Sequence, residues 1–171
     1  MKKARILFLC LLCSTLLLPS CKQKSDNAAP ATQDKVTDIM LPDRDGKQYS
    51  LLEEVKKQPL TVIDFWATWC GPCMQEMPNV KALYEKYSKK GLAIIGISQD
   101  KDEEAWKQII DKEGLNWLQL LDGKGENGSA ADMYKVEYIP YTMLIDSTGV
   151  ILETNLRGEE LEKAVAKHLD K

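Results

Sequence analysis

Apolar positions in this chain gather into short, nearly continuous runs separated by amphipathic stretches. Residues 60–67 (LTVIDFWA) and 92–98 (LAIIGIS) are apolar almost throughout, the pattern of strands covered on both faces. Residues 117–121 read as a further strand. Elsewhere the apolar positions spread to a helical period. Met77, Val80, Leu83, Tyr84 and Tyr87 share one face of a helix over 74–90, which Gly91 ends and Pro78 should kink. Asp100 and Glu103 read as the caps of a second helix that turns Ala105, Trp106, Ile109 and Ile110 inward and closes at Gly114.

Shorter patterns fill the rest. Residues 38–41 and 47–50 flank Asp43-Arg44-Asp45-Gly46, a hairpin with Asp-Gly in its turn. Ser50-Leu51-Leu52-Glu53 has the spacing of a capping box, so a short helix follows and stops before Pro59. Residues 129–135 predict another short helix. Residues 142–145 and 150–155 predict an antiparallel pair turning at Ser147-Thr148-Gly149. A last helix, 159–169, buries Leu161, Ala164, Val165 and Leu169. Strands that alternate with helices and then give way to a hairpin predict an α/β sandwich with a mixed central sheet, one domain over 36–171.

The first 35 residues differ from this. Lys2, Lys3 and Arg5 precede an apolar run of 13 residues, 6–18, too short to span a bilayer as a helix. The run ends in Leu18-Pro19-Ser20-Cys21. This resembles a bacterial lipobox, in which Cys21 is acylated and becomes the first mature residue, although Pro19 departs from the usual small residue. A plain secretory signal is the other reading. Residues 22–35 are polar, contain Ala and Pro, and lack any apolar period, as expected of a flexible tether.

Composition narrows the classes. The 171 residues are 44% apolar and 29% charged, the balance of a globular domain, with a net charge of −3. Without residues 1–21 the chain keeps 20 basic and 26 acidic residues, a charge of −6. No basic stripe is present, which argues against nucleic-acid partners.

The chemistry concentrates in Trp69-Cys70-Gly71-Pro72-Cys73, between the strand over 60–67 and the helix over 74–90. Unpaired N–H groups at a helix start stabilise a thiolate, the reactive form of cysteine. Two intervening residues let both sulfurs meet across one turn. Cys10 and Cys13 fall in the segment expected to be removed, and Cys21 would be blocked by lipid. Cys70 and Cys73 then remain as thiols, and a close pair in an oxidising compartment suits dithiol–disulfide exchange. A structural zinc site needs about four ligands. Beyond these cysteines the chain offers His168, at the end of the last helix, so no metal site is expected.

Val62-Ile63-Asp64-Phe65-Trp66-Ala67-Thr68-Trp69-Cys70-Gly71-Pro72-Cys73, followed about 70 residues later by Tyr138-Ile139-Pro140-Tyr141-Thr142, resembles the thioredoxin superfamily. The likeness covers residues 36–171 and is greatest to TlpA/ResA-type, membrane-tethered thiol–disulfide oxidoreductases. The leader, the added hairpin, Cys73-Met74-Gln75-Glu76-Met77-Pro78 and Asn155-Leu156-Arg157-Gly158 carry the narrower likeness. It implies a thioredoxin-like three-layer sandwich with a mixed central sheet and an added N-terminal β-hairpin.

The resemblance also implies roles. Cys70 is the nucleophile and the partly exposed sulfur; Cys73 resolves the mixed disulfide. Gly71-Pro72 implies a reducing dithiol. Asp64, in an apolar strand, should be buried and have a raised pKa, and the resemblance makes it the acceptor of the Cys73 proton; a strand-end carboxylate in solvent is the other reading. Pro140 should be cis and present the Ile139 backbone to a substrate strand, against a trans proline opening an edge strand. Trp69 should cover the disulfide and Trp66 lie in the core. Glu76 either tunes the cysteines or is an exposed first-turn glutamate.

The implied function is reduction of disulfides in exported proteins, with apocytochrome c or oxidised cysteines as substrates, in cytochrome c maturation or periplasmic thiol homeostasis. No flavin or nicotinamide motif is present, so no cofactor is expected and a membrane electron donor is implied. The implied location is the bacterial envelope, lipid-anchored and facing the periplasm or exterior. Two rivals remain. A thiol peroxidase would carry Pro-x-x-x-Thr-x-x-Cys, which Phe65 to Cys70 does not match. A copper-delivery module on the same fold resembles CxxxC with a distal loop histidine, which Cys70, Cys73 and His168 do not supply.

Overall fold

The computed structural model describes residues 35–122 and 129–169. All of them fall in the unit Thr32–Lys171. The leader over 1–21 with Cys21, and the tether apart from Lys35, lie outside the described residues. Among the described residues no helix is long and apolar enough to cross a membrane.

The elements run β1 (Met40–Pro42), β2 (Gln48–Ser50), α1 (Leu51–Val55), β3 (Leu60–Trp66), α2 (Gly71–Tyr87), β4 (Leu92–Ser98), α3 (Glu103–Glu113), β5 (Leu118–Leu121), α4 (Ala130–Met133), β6 (Tyr141–Asp146), β7 (Ile151–Thr154) and α5 (Gly158–Leu169). The main sheet has the order β5-β4-β3-β6-β7. β3 pairs parallel with β4 and antiparallel with β6, so the sheet is mixed. β1 and β2 form a separate antiparallel hairpin closed by Asp43–Lys47 contacts. This is the three-layer sandwich with an added hairpin that the sequence implies.

Period-two alternation divides the core between the two faces. Leu60, Val62 and Trp66 of β3 pack with Met77, Val80, Leu83, Trp106, Ile110, Leu161 and Val165, under α2, α3 and α5. Ile63 and Phe65 pack the other way, with Leu41, Leu51, Val55, Ile95, Ile97 and Ala130, under the hairpin, α1 and α4. All seven residues of β3 are buried. A strand covered on both faces needs an apolar run, and Asp64 is the charged exception within it.

Two local expectations change. α2 begins at Gly71, not at residue 74, because Cys70 is the N-cap and proline is accepted in the first turn. Pro78 lies inside this helix. The N-cap of α3 is Asp102, whose carboxylate accepts from Ala105 N; Asp100 does not cap it. Ser50 caps α1 through Glu53 N, as the capping-box spacing requires.

Candidate active site

β3 stops at Trp66, and a tight turn follows in which Cys70 N donates to Ala67 O at 3.2 Å. That turn sets Cys70 at the N-cap of α2, where its Sγ accepts from Cys73 N at 3.1 Å. The two sulfurs form a disulfide of 2.05 Å with the Cα atoms 5.2 Å apart. Cys70 Sγ also lies 3.7 Å from Ile139 O. Ile139-Pro140 is a cis peptide, as the resemblance implies. Chemically, the helix start supplies what a departing or attacking thiolate at Cys70 needs, an N–H donor and positive potential.

The sulfurs are less accessible than expected. Cys70 is 5% exposed and Cys73 2%, so the partly exposed thiol of the sequence reading is covered in the disulfide form. The exposed groups beside them are Trp69 at 66% and Tyr138 at 56%. With Pro72, Gln99 and Ile139 these two border a groove of about 430 Å³ that runs past Cys70. Trp66 is buried, and its Nε1 donates to Gln119 Oε1 at 3.2 Å.

Asp64 lies on the face of β3 that looks toward α2 and is 5% exposed, which excludes a strand-end carboxylate in solvent. Burial first, and then the negative charge of Glu76, push its carboxyl up from 3.8 to about 7, while Arg157 opposes them. A carboxyl at that value gains and loses a proton near neutral pH. Glu76 is neither a free first-turn side chain nor a direct contact of the cysteines. Its Oε1 accepts from Gly158 N at 2.6 Å and its Oε2 from Asn79 Nδ2 at 3.0 Å. It reaches the site through its charge on Asp64.

Arg157 and Asp100 are residues to which the sequence reading gave no site role. Arg157 Nη2 donates to Pro140 O at 2.7 Å and to Asn155 Oδ1 at 3.3 Å, beneath the proline loop. Asp100 is buried and accepts from Thr68, two residues before Cys70. Arg157 falls in the Asn155-Leu156-Arg157-Gly158 segment that carries the family likeness, whereas nothing local marks Asp100, whose partner Thr68 lies 32 residues away. His168, at the end of α5, lies 3.3 Å from Glu153 Oε1 and far in sequence from the dicysteine. Among the described residues no group of three or more His, Cys, Asp or Glu side chains is placed to hold a metal ion.

A disulfide-bonded cysteine pair at a helix N-terminus, opposite a cis-proline loop on a mixed sheet, defines a thioredoxin-fold site for thiol–disulfide exchange. Known proteins agree with that class. The Redoxin family model matches residues 24–169. A thiol-disulfide oxidoreductase ResA of Bacillus cereus is 32% identical, over 100% of this chain and 98% of that protein. The crystal structure of the thioredoxin domain of a Bacteroides vulgatus thiol-disulfide oxidoreductase superposes with a TM-score of 0.74 at 31% identity, covering 81% of this chain and 98% of that one. The solution structure of a thiol:disulfide interchange protein from Bacteroides sp. gives 0.73 at 30% identity, covering 82% and 91%. The chain belongs to the Redoxin family. Its Cys70–Cys73 pair makes it a thiol–disulfide oxidoreductase.

Proposed function

We propose that this oxidoreductase works as a reductase of disulfides in exported proteins, held to a membrane of the bacterial envelope by lipid on Cys21 and facing the periplasm or exterior. The observation that carries the reading is the dicysteine at the start of α2 with a buried carboxyl of pKa about 7 on the same face. Gly71-Pro72 between the cysteines and the leader over 1–21 support the reductive direction and the location. ResA and the interchange proteins are relatives of matching length and chemistry.

In this reading the reduced Cys70 thiolate attacks one sulfur of a substrate disulfide. The first substrate thiolate leaves, and a mixed disulfide remains on Cys70. Asp64 takes the Cys73 proton, and Cys73 Sγ attacks Cys70 Sγ. The second substrate sulfur leaves as a thiolate and takes up a proton, and the Cys70–Cys73 disulfide forms. Two electrons pass to the substrate, so a membrane dithiol donor must return two by the same exchange in reverse. Trp69 and the Ile139-Pro140 edge hold the substrate strand beside Cys70. Cytochrome c maturation and general repair of exported thiols both fit this chemistry.

The test is the reduction potential of the Cys70–Cys73 pair in a fragment starting at Lys22. Values in such pairs run from about −270 to about −120 mV. A value in the lower half supports a reductase, and Cys73→Ser should then trap substrates on Cys70. A value at the upper end makes the protein a disulfide donor or isomerase. Lipid on Cys21 is checked by mass spectrometry of the membrane-extracted chain.

A further inference from the structure

Asp100 is a buried carboxylate that the exchange chemistry does not use. It sits just past the end of β4, 5% exposed, and its contacts gather at the turn before the dicysteine. Thr68 Oγ1 donates to Asp100 Oδ1 at 2.6 Å. Thr68 N donates to Oδ2 at 3.0 Å and to Oδ1 at 3.2 Å. Ser98 Oγ donates to Oδ2 at 2.7 Å and accepts from Asp100 N at 3.0 Å. Hydrogen bonds to an ionised acceptor are the strong kind, and a buried carboxylate with several donors holds its neighbours firmly.

The held residue is the one that matters. Thr68 lies between Ala67, whose carbonyl accepts from Cys70 N, and Trp69, which projects into solvent beside the groove. Fixing both the backbone and the hydroxyl of Thr68 fixes the turn that delivers Cys70 to the N-cap. We infer that Asp100 is a positioning residue for thiol exchange: through Thr68 it seats Cys70 on the N-terminus of α2, where the thiolate is stabilised. The inference rests on the oxidoreductase assignment and is independent of substrate or direction of flow.

Loosening the brace lets Cys70 leave its cap, so its thiol holds the proton more tightly and less thiolate is present at neutral pH. The opposing effect is charge, because losing the Asp100 carboxylate alone would favour the thiolate. Two variants separate them. Thr68→Val removes the hydroxyl and keeps the carboxylate; Asp100→Asn removes the charge and weakens every contact. The measurement is iodoacetamide labelling of the reduced full chain, followed at the Cys70 peptide by mass spectrometry from about pH 5 to 10. Both variants are expected to move the Cys70 profile to higher pH and slow labelling at neutral pH about fivefold, the factor of one net hydrogen bond. Faster labelling in Asp100→Asn with Thr68→Val unchanged makes the residue an electrostatic one and overturns the inference. Unmoved profiles in both variants, even with a lower melting temperature, overturn it too. Where Asp100→Asn fails to fold or the two disagree, the near-isosteric Thr68→Val decides. Because no substrate enters the assay, failure here leaves the reductase reading untouched.

Discussion

The amide of Gly158, at the start of α5, donates to Glu76 Oε1 at 2.6 Å and so holds that carboxylate on the Asp64 side of α2. The contact joins residues 82 apart in sequence. It also brings a second negative charge to a carboxyl already destabilised by burial. Glu76→Gln keeps an oxygen for the Gly158 amide and removes the charge. The Asp64 carboxyl should then ionise at lower pH. The expected outcome is a resolution step, followed as release of a mixed disulfide from Cys70, whose pH midpoint moves down. A midpoint that stays in place would remove Glu76 from the proton pathway.

Arg157 should act in the opposite direction. Its positive charge lowers the Asp64 pKa against the other two effects. Arg157→Gln retains an amide donor for Pro140 O and deletes the charge, so the same midpoint should move up. Arg157→Ala also frees the carbonyl of Pro140 and, through Asn155, loosens the side chain that donates to Tyr138 OH at 3.3 Å. That variant should raise KM for a peptide disulfide more than the glutamine does. Equal KM values in the two would mean that the guanidinium does not hold the loop.

The raised pKa of Asp64 has a stability consequence of fixed sign. In the unfolded chain the carboxyl loses its proton near pH 3.8, in the fold at about 7. Between those values the native state holds the extra proton, so stability falls as pH rises through the window and levels above it. Asp64→Asn should abolish this slope. It should be nearly neutral at about pH 4 and stabilising by about 2–4 kcal/mol at about pH 8. Urea unfolding of the oxidised protein at both pH values checks this. Disulfide exchange near neutral pH should slow in the same variant.

What was legible in the sequence was what local pattern encodes. β3 and β4 announce themselves because a strand covered on both faces must be apolar almost throughout, and an acid inside such a run is expected to be buried, which the fold bears out for Asp64 against the solvent-exposed reading. The dicysteine and the hairpin turn were legible for the same reason, that a few adjacent residues specify them. Asp100 was not. An aspartate shortly before a helix looks like its cap, and Asp102 satisfies the same pattern; the partner that claims Asp100 is Thr68, 32 residues away. Glu76 and Arg157 were half-legible, marked by family resemblance, but their partners Gly158 and Pro140 are backbone groups with no sequence signature.

Gly96 gives a further test of how the core supports the site. It lies in β4 opposite Gln119 of β5, on the face shared with Trp66. A Cβ at Gly96 would collide with Gln119 Oε1 and stand 2.8 Å from its Cδ. That oxygen is the acceptor for Trp66 Nε1, and Gln119 is buried, so it has little room to retreat. In an ordinary strand, alanine for glycine is neutral or mildly stabilising, because it restricts the unfolded chain. Here the methyl should drive the carboxamide off the indole and leave a buried N–H unpaired, at a cost of about 1–3 kcal/mol. Gly96→Ala should therefore destabilise in urea unfolding. Adding Gln119→Ala should cost less in the Gly96→Ala background than in the parent, since the displaced group is already out of place. Additive effects, or a stabilised single variant, would mean that the sheet makes room for the methyl without disturbing Trp66, four residues ahead of Cys70 in the chain.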